Sequence, residues 1–370
     1  MKRRDFLKSS LAIGACAFTQ NPLLAKSEIL RRFKVKYEFD IANDKGKYPL
    51  SLWNPLPFNS SYQKVSNLTF DGNYKTFTIT DKNQYEAKTF YANWDKSSKR
   101  NTLSMQMELE TTARNIPISL IKQASAKNLS LGDEVQIFLQ ETKHVPNRGM
   151  VKKLSDRITV GLTDRFDKAE AIYNWCTLHT YRDKNTIGCG LGDVKKMVEI
   201  GEVEYLYQNG YYGGKCTDIS SLFVALTRAA QIPAREVFGI RLGKSSYSKA
   251  LGKSNNNFAT ISEWQHCRAE YYIPGAGWIP TDPADISKLR LVEDLQYTDK
   301  RVQTLNDRYL HSWEMNWVGF NYGRDFDLFP KQNKTTLNNF GYPYAEINDK
   351  VFDYYAPKSF EYKITSQELT

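Results

Sequence analysis

Residues 213–235 read GGKCTDISSLFVALTRAAQIPAR. Apolar residues recur at helical spacing from Ile219 to Leu226, and Pro233 ends the pattern, so the sequence predicts a buried helix that begins at Cys216. Unpaired backbone N–H groups at a helix start favour a thiolate and can hold a developing oxyanion. Cys216 is therefore a candidate nucleophile, although many buried cysteines are only small apolar core residues.

Two strand patterns follow the predicted helix. The first contains His266 and the next ends at Asp282, with a turn around Pro274-Gly275 between them. Such a hairpin brings Asp282 to within about one residue of the position opposite His266. A thiol on a helix, a base on one strand and an acid on the next match the nucleophile, base and orienting group of thiol catalysis, with Cys216 as the nucleophile.

Three blocks of this region resemble the bacterial transglutaminase-like superfamily, which shares its catalytic arrangement with papain-type thiol proteases. They are the quoted residues 213–235, QHCRAEYY at 265–272 and GWIPTDPAD at 277–285, and weaker similarity extends over roughly residues 130–350. The resemblance implies an α+β fold with a papain/transglutaminase-like core of helices and antiparallel sheet. It also assigns Cys216, His266 and Asp282 to the catalytic triad, and it implies no cofactor.

The sequence departs from one branch of this superfamily. Eukaryotic-type transglutaminases carry tryptophan directly after the cysteine, where this chain has Thr217, and no calcium-loop pattern is evident. This departure argues against protein crosslinking. No side-chain oxyanion donor can be assigned, although Gln208, Tyr211 and Tyr212 lie upstream of the cysteine.

Other residues near the motifs have simpler interpretations. Cys267 follows His266 on a strand and should point into the core, while Arg268 and Glu270 share the face of His266 and either form ion pairs or line the cleft. Asp218 is either a helix-start residue or a catalytic one. Asp285 is interpreted as a surface acid.

The remaining histidines and cysteines do not form a recognisable site. His144, His179 and His311 have no ligand spacing, so no metal site is predicted. Cys176 either lies on the buried stripe of a helix or forms a disulfide with Cys189.

The chain of 370 residues is long enough for a core and a companion domain. Strict alternation from Phe33 to Phe39 and recurring threonine-rich and aromatic segments predict an N-terminal antiparallel β-sandwich. Helical spacing begins behind Asp164. The predicted organisation is an export signal at 1–25, the β-sandwich at 26–120, the transglutaminase-like core at 121–312 and a β-rich extension of the core at 313–370.

The first residues have the form of an export signal. Arg3-Arg4 precede a small, weakly apolar run, which resembles a twin-arginine signal; an ordinary secretory signal and a cytoplasmic tail are the alternatives. Cys16 lies in a stretch that looks like a lipoprotein processing site, so a lipid anchor there competes with cleavage near Ala25. No later stretch reaches the roughly 20 apolar residues of a membrane span.

The formal net charge is +10, and it is spread along the chain instead of forming a basic block. Charge of this kind indicates a solvated surface and not a nucleic-acid footprint. The sequence thus predicts a periplasmic thiol enzyme, a cysteine peptidase or amidase, that acts on a peptide or protein amide of the cell envelope. The alternatives are an acyl transferase that uses amines and a non-catalytic envelope scaffold. Oligomeric state has no signal in the sequence.

Overall fold

The computed structural model describes residues 30–42, 48–95, 99–208, 212–333, 336–348 and 350–369, with the backbone alone at 202–208. The predicted export signal at 1–25, with Cys16 and Ala25, lies outside the described residues, as do Tyr211 and the side chain of Gln208. No helix formed by the described residues combines the length and apolar character that crossing a bilayer requires.

Along the chain, the elements fall into an N-terminal β region, a central α+β region and a C-terminal β region. The strands are β1 (Leu30–Ala42), β2 (Leu50–Pro55), β3 (Gln63–Gly72), β4 (Thr76–Thr80), β5 (Thr89–Trp94), β6 (Arg100–Thr112), β7 (Arg114–Asn115), β8 (Thr180–Arg182), β9 (Tyr212–Gly214), β10 (Ala234–Arg241), β11 (Phe258–Thr260), β12 (Gln265–Ile273), β13 (Gly277–Thr281), β14 (Ser312–Trp313), β15 (Trp317–Asn321), β16 (Arg324–Phe326), β17 (Leu337–Asn339), β18 (Tyr344–Ile347), β19 (Lys350–Val351) and β20 (Tyr362–Leu369). The helices are α1 (Ile118–Ser125), α2 (Gly149–Ile158), α3 (Arg165–His179), α4 (Val194–Gln208), α5 (Cys216–Ala229), α6 (Pro283–Glu293), α7 (Lys300–Tyr309) and α8 (Pro357–Phe360), with 3₁₀ turns at Asp133–Leu139 and Lys249–Leu251.

Two five-stranded sheets form the predicted β-sandwich. Their strand orders are β11-β20-β1-β6-β3 and β19-β18-β2-β5-β4. In β1 the alternating residues Phe33, Val35, Tyr37 and Phe39 are buried, as the period of two predicts, and they share a core with apolar residues of β2 and β5. The alternation therefore decides which face of β1 meets the second sheet.

The C-terminal strands do not simply extend the core, as the sequence predicted for 313–370. Only β15 joins the core sheet, whereas β18 and β19 complete one sandwich sheet and β20 pairs with β1 in the other. The first and last of the described strands, β1 and β20, are thus paired through the register Tyr37↔Ile364. Apolar residues at this end complete the sandwich interior, because Phe360 at the end of α8 and Tyr362 and Ile364 on β20 belong to its core.

The core consists of an antiparallel sheet, order β13-β12-β10-β15, with helices packed against it. Helix α5 lies against β12 and β10, and nearly all of its side chains are buried, including Leu222 and Phe223. Full burial of one such side chain contributes about 1.5–3 kcal/mol, so this helix is firmly held. Helix α3 begins at Asp164, whose carboxylate accepts from the N–H groups of Phe166 and Asp167, as the sequence predicted.

The hairpin β12–β13 turns at residues 274–276, as predicted, with Gly275 and Gly277 at positive φ. Its register pairs Ala269 with Thr281, so the position opposite Asp282 is that of Arg268. Asp282 is therefore two residues from the position opposite His266, and not one as predicted. The contact still forms because Asp282 leaves the strand to become the N-cap of α6.

Candidate active site

Cys216 is the first residue of α5, and its position is set by Asp218, two places later. One carboxylate oxygen of Asp218 accepts from the N–H of Lys215 at 2.9 Å, and the other accepts from the N–H of Gly192 at 2.7 Å. These bonds satisfy backbone donors that a helix start otherwise leaves open. Asp218 is therefore a helix-start residue that also anchors the loop at Gly192, which decides between its two predicted roles.

The backbone at the start of α5 offers a donor for an oxyanion. The N–H of Thr217 is bonded to the carbonyl of Cys189 at 2.8 Å, and within the described part of the chain the N–H of Cys216 has no hydrogen-bond acceptor. That N–H lies next to the thiol and at the positive end of the helix dipole. It can therefore stabilise negative charge on a carbonyl oxygen attacked by the thiol.

Tyr212, one of the upstream candidates for a side-chain oxyanion donor, does not occupy that position. Tyr212 is buried against Trp175, with ring centroids 5.1 Å apart, and does not line the cleft. Gln265 and Tyr342 are among the neutral polar side chains that line the cleft with Cys189 and Cys216. Sequence reasoning missed Tyr342 because more than 120 residues separate it from the cysteine.

His266 and Asp282 meet as the hairpin predicted. Nε2 of His266 lies 2.8 Å from Oδ2 of Asp282, and both side chains are buried. Since Nε2 is engaged, Nδ1 is the nitrogen left for Cys216, and the imidazole lies near enough to lower the pKa of that thiol. The structure thus brings Cys216, His266 and Asp282 into one contiguous group.

Asp285 is not a surface acid, as the sequence suggested, but a buried member of this group. Its carboxylate forms an ion pair with Arg241 and lies 3.4 Å from Nε2 of His266. Its own N–H donates to Oδ1 of Asp282 at 3.1 Å. The first turn of α6 carries Asp285 inward, because Asp282 caps that helix and the N–H three residues later must face it.

The electrostatics of the group favour a thiolate beside an imidazolium. Hydrogen bonding from the Cys189 thiol and then from His266 holds the pKa of Cys216 well below its usual value, although burial opposes this. Burial and Arg241 work to lower the pKa of His266, but the carboxylates of Asp282 and Asp285 overcome them and raise it. Shifts in these opposite directions favour the thiolate–imidazolium form of the pair over the neutral form.

Cys189 belongs to the site and not to a disulfide. Cys176 and Cys189 are free thiols, and Cys176 is fully buried on α3 as an apolar residue. The Cys189 thiol contacts that of Cys216 and also lies 3.0 Å from the carbonyl of Gln265. The sequence did not predict this contact, since helix α4 and strand β9 separate residues 189 and 216.

The neighbours of His266 on β12 have structural partners. Cys267 points to the opposite face and lies in the core, as predicted. Nε of Arg268 lies 3.2 Å from Oδ2 of Asp282, and Glu270 forms ion pairs with Arg114 and Arg235. Neither Arg268 nor Glu270 lines the cleft, so of the two predicted roles the ion pair is the one observed.

One group of side chains has donor atoms close enough to one another for a metal ion. Within the described ranges, His266, Asp282 and Asp285 offer atoms within 4.8 Å of one another. The guanidinium groups of Arg241 and Arg268 already neutralise both carboxylates, and a cation placed among them would be repelled. Of the other histidines, His144 pairs with Asp325 and His179 stacks on Trp175.

The thiol and the imidazole open onto a cleft of about 460 Å³. Its walls come from the start of α5, from β12, from α6 and from the loop after β10, together with aromatic residues of the C-terminal segment such as Tyr355 and Tyr362. A cleft of this size accommodates a few residues of an extended chain. The C-terminal strands therefore complete the wall of the site as well as the sandwich.

Residues 152–283 match the model of the transglutaminase-like superfamily. Over 346 residues the chain is 42% identical to an uncharacterized protein of Haemophilus influenzae, covering 90% of this chain and 91% of that protein. It is 28% identical over 148 residues to the uncharacterized protein YebA of Bacillus subtilis, which is 40% of this chain and 18% of YebA.

Solved structures with similar folds have low identities. A proposed cysteine protease from Cytophaga hutchinsonii superposes with a TM-score of 0.49 at 14% identity, over 91% of this chain and 98% of that one. The periplasmic domain of TgpA from Pseudomonas aeruginosa gives 0.36 at 13% identity, over 74% and 92%. A shared fold at such identities does not define a shared activity.

The fold and the site define a protein with a transglutaminase-like domain. The chain contains a transglutaminase-like domain at residues 152–283, and it belongs to one family with the Haemophilus influenzae protein that it matches over nearly its full length.

Proposed function

We propose that this protein is an exported thiol hydrolase that cleaves amide bonds, a cysteine peptidase or amidase. The observation that carries the proposal is that Cys216 and His266 lie together at the wall of a cleft, with the thiol at a helix start and Nε2 of the imidazole held 2.8 Å from Oδ2 of Asp282. A thiol nucleophile needs a base within reach and a third group that orients the base.

The geometry supports a two-stage reaction. The Cys216 thiolate attacks the amide carbonyl carbon, and the N–H of Cys216 stabilises the oxyanion. The His266 imidazolium gives its proton to the leaving amine, the C–N bond breaks and an acyl-thioester remains. His266 then accepts a proton from water, the hydroxide attacks the thioester, and the acid leaves as the Cys216 thiolate is restored beside a protonated His266.

Asp282 and its neighbours support this cycle without touching the substrate. Asp282 holds Nε2 of His266, which keeps Nδ1 towards the thiol, and Arg268 holds Asp282 in turn. Arg241 keeps Asp285 ionised, because its cation lowers the pKa of that carboxyl although burial raises it. The imidazolium is thus formed in a pocket that already carries two carboxylates.

Selective alkylation tests the nucleophile. We expect iodoacetamide at neutral pH to label Cys216 faster than Cys176, Cys189 or Cys267, because burial raises the pKa of Cys176 and Cys267, and the Cys216 contact followed by burial raises that of Cys189. Mass spectrometry of tryptic peptides identifies the labelled residue. Labelling of another cysteine with Cys216 untouched would refute the assignment.

The reaction outcome is tested with a model amide in the presence and absence of a primary amine. Free acid as the main product is expected, since Thr217 occupies the place of the tryptophan found in crosslinking enzymes. Predominant incorporation of the amine would instead make the protein an acyl transferase. Unchanged conversion by the Cys216→Ala protein would exclude both chemistries.

Export is proposed from the pattern at residues 1–25. Replacement of Arg3 and Arg4 by lysine should retain the precursor in the cytoplasm if the twin-arginine route is used, and cell fractionation measures this. Incorporation of palmitate would favour anchoring at Cys16 over cleavage near Ala25. Undiminished export of the lysine variant would contradict the twin-arginine assignment.

A further inference from the structure

The cleft is lined by basic side chains that the proposed reaction does not use. We call them the cleft cations: Arg182, Lys215, Lys249, Lys253 and Lys288. Among the described residues that line the cleft, Glu263 is the one acidic side chain. The space around the thiol is therefore strongly positive, and a positive cleft concentrates anionic ligands.

The cleft cations differ from the buried cations around them in having no counter-ion. Arg241 and Arg268, which lie deeper, are paired with Asp285 and Asp282. For the cleft cations, by contrast, no carboxylate of a described residue lies within ion-pair distance. Arg182, Lys215 and Lys288 are half-buried, whereas Lys249 and Lys253 are exposed. Since half-buried charges are normally paired, the first three have room for charges supplied by a ligand.

Two cleft cations lie close to the nucleophile. Arg182 ends β8, where it is the register partner of Gly214, two residues before Cys216. Lys288 lies on α6, six residues after Asp282, and is half-buried. Burial, followed by repulsion from Arg241, lowers the pKa of Lys288 to about 8. Its charged ammonium form is therefore destabilised, and a bound carboxylate would stabilise it.

We propose that the cleft binds the carboxylates of an acidic peptide, with Lys288 and Arg182 as the principal contacts. This inference rests on the proposed function: the substrate is then a peptide amide with acidic side chains beside the scissile bond. Lys215, Lys249 and Lys253 lie on the start of α5 and on the loop after β10, so they can meet further carboxylates along an extended chain.

A different role for the same cations is to stabilise the Cys216 thiolate, since Arg182 also lowers the pKa of Cys216. The two roles separate in the full chain carrying Cys216→Ala, which has no thiolate to stabilise. Any effect of Lys288 or Arg182 on peptide binding in that protein must come from contact with the ligand.

The test is binding of fluorescent peptides to the Cys216→Ala protein, measured by anisotropy. The probes are an N-labelled triglutamate amide, the matching triglutamine amide and triglutamine with a free C-terminal carboxylate. The triglutamate amide should bind about tenfold or more tightly than the triglutamine amide, because a charge-assisted hydrogen bond is stronger than a neutral one. Preference for the free C-terminus over its amide, at the expense of triglutamate, would overturn the assignment to side-chain carboxylates.

Matched variants locate the contact. In the Cys216→Ala background, Lys288→Gln and Arg182→Gln should each remove most of the preference for triglutamate, and Lys288→Arg should restore it. Lys153→Gln, at an exposed position on α2 outside the cleft, removes the same charge and should leave the preference intact. An equal loss from Lys153→Gln would show attraction by net charge alone and would overturn the proposal.

Failure of this inference and failure of the proposed function are distinguishable. Equal affinity for the glutamate and glutamine amides would refute the acidic-peptide site, whatever the protein hydrolyses. Tight triglutamate binding by the Cys216→Ala protein, together with no turnover of any amide by the wild type, would instead refute the hydrolase and retain the site.

Discussion

Strand β12 carries two buried charged clusters on one face, and they differ in what their charges can do. The His266 cluster contains His266, Asp282, Asp285, Arg241 and Arg268. The Glu270 cluster contains Glu270, Arg114 and Arg235, and the Arg235 guanidinium lies 3.8 Å and 3.6 Å from the ring centroids of Trp278 and Tyr322. Both clusters are products of the same alternation along one strand.

Of the two clusters, only that of His266 includes an imidazole, and this imidazole lies beside a nucleophile. Burial acts to raise the pKa of Glu270, but Arg235 and Arg114 lower it, so that carboxylate stays ionised under all ordinary conditions. His266 lines the cleft beside Cys216, whereas Glu270 is held between Arg114 and Arg235, away from the cleft. Buried charge alone therefore does not mark an active site; a titratable group next to an accessible reactive atom does.

Removal of the nucleophile or the base should have the largest effect on turnover. Cys216→Ala and His266→Ala should each lower kcat by about a thousandfold or more, and the double variant little further, because the two residues act as one unit. Steady-state assays on a cleaved amide measure this. Cys267→Ala is the matched control, since its thiol points to the opposite face and turnover per folded molecule should persist. A wild-type rate in the His266→Ala protein would show that the His266 cluster, like the Glu270 cluster, takes no part in turnover.

Loss of the orienting acid should have a smaller effect. Asp282→Asn should lower kcat about a hundredfold, since the thiolate and imidazole remain and orientation is lost. It should also change the pH profile. The wild-type rate follows a bell that rises as Cys216 loses its proton and falls as His266 loses its own. Because the Asp282 carboxylate raises the pKa of His266, its removal should move the alkaline limb to lower pH. An unmoved limb would contradict the role of Asp282.

The Glu270 cluster should affect stability and leave turnover per folded molecule nearly unchanged. Glu270→Gln leaves Arg114 and Arg235 without their carboxylate, and breaking a buried ion pair in this way lowers the free energy of unfolding by about 3 kcal/mol. Denaturant unfolding measures the loss, and active-site titration by alkylation normalises the rate. A fall in kcat as large as that of Asp282→Asn would show that the two clusters act together.

Local patterns in the sequence were sufficient to predict the main secondary-structure elements and the order in which they carry the site residues. Period-two alternation predicted β1 and β12, and helical spacing with Asp164 and Pro233 predicted α3 and α5. The hairpin brought Asp282 to His266 because only a short turn separates the two strands. These features depend on neighbours within about 20 residues, where backbone geometry limits the choices.

The tertiary structure alone decided the surroundings of that site. It paired β20 with β1, placed Cys189 against Cys216, and turned Asp285 inward to Arg241. It also gathered the cleft cations from β8, α5, α6 and the loop after β10. The residues that meet in these contacts are far apart in the chain. Asp285 faces inward only because Arg241, which is distant in sequence, balances its charge. Periodicity shows which face of an element is buried, but the identity of the group it meets depends on how whole elements pack.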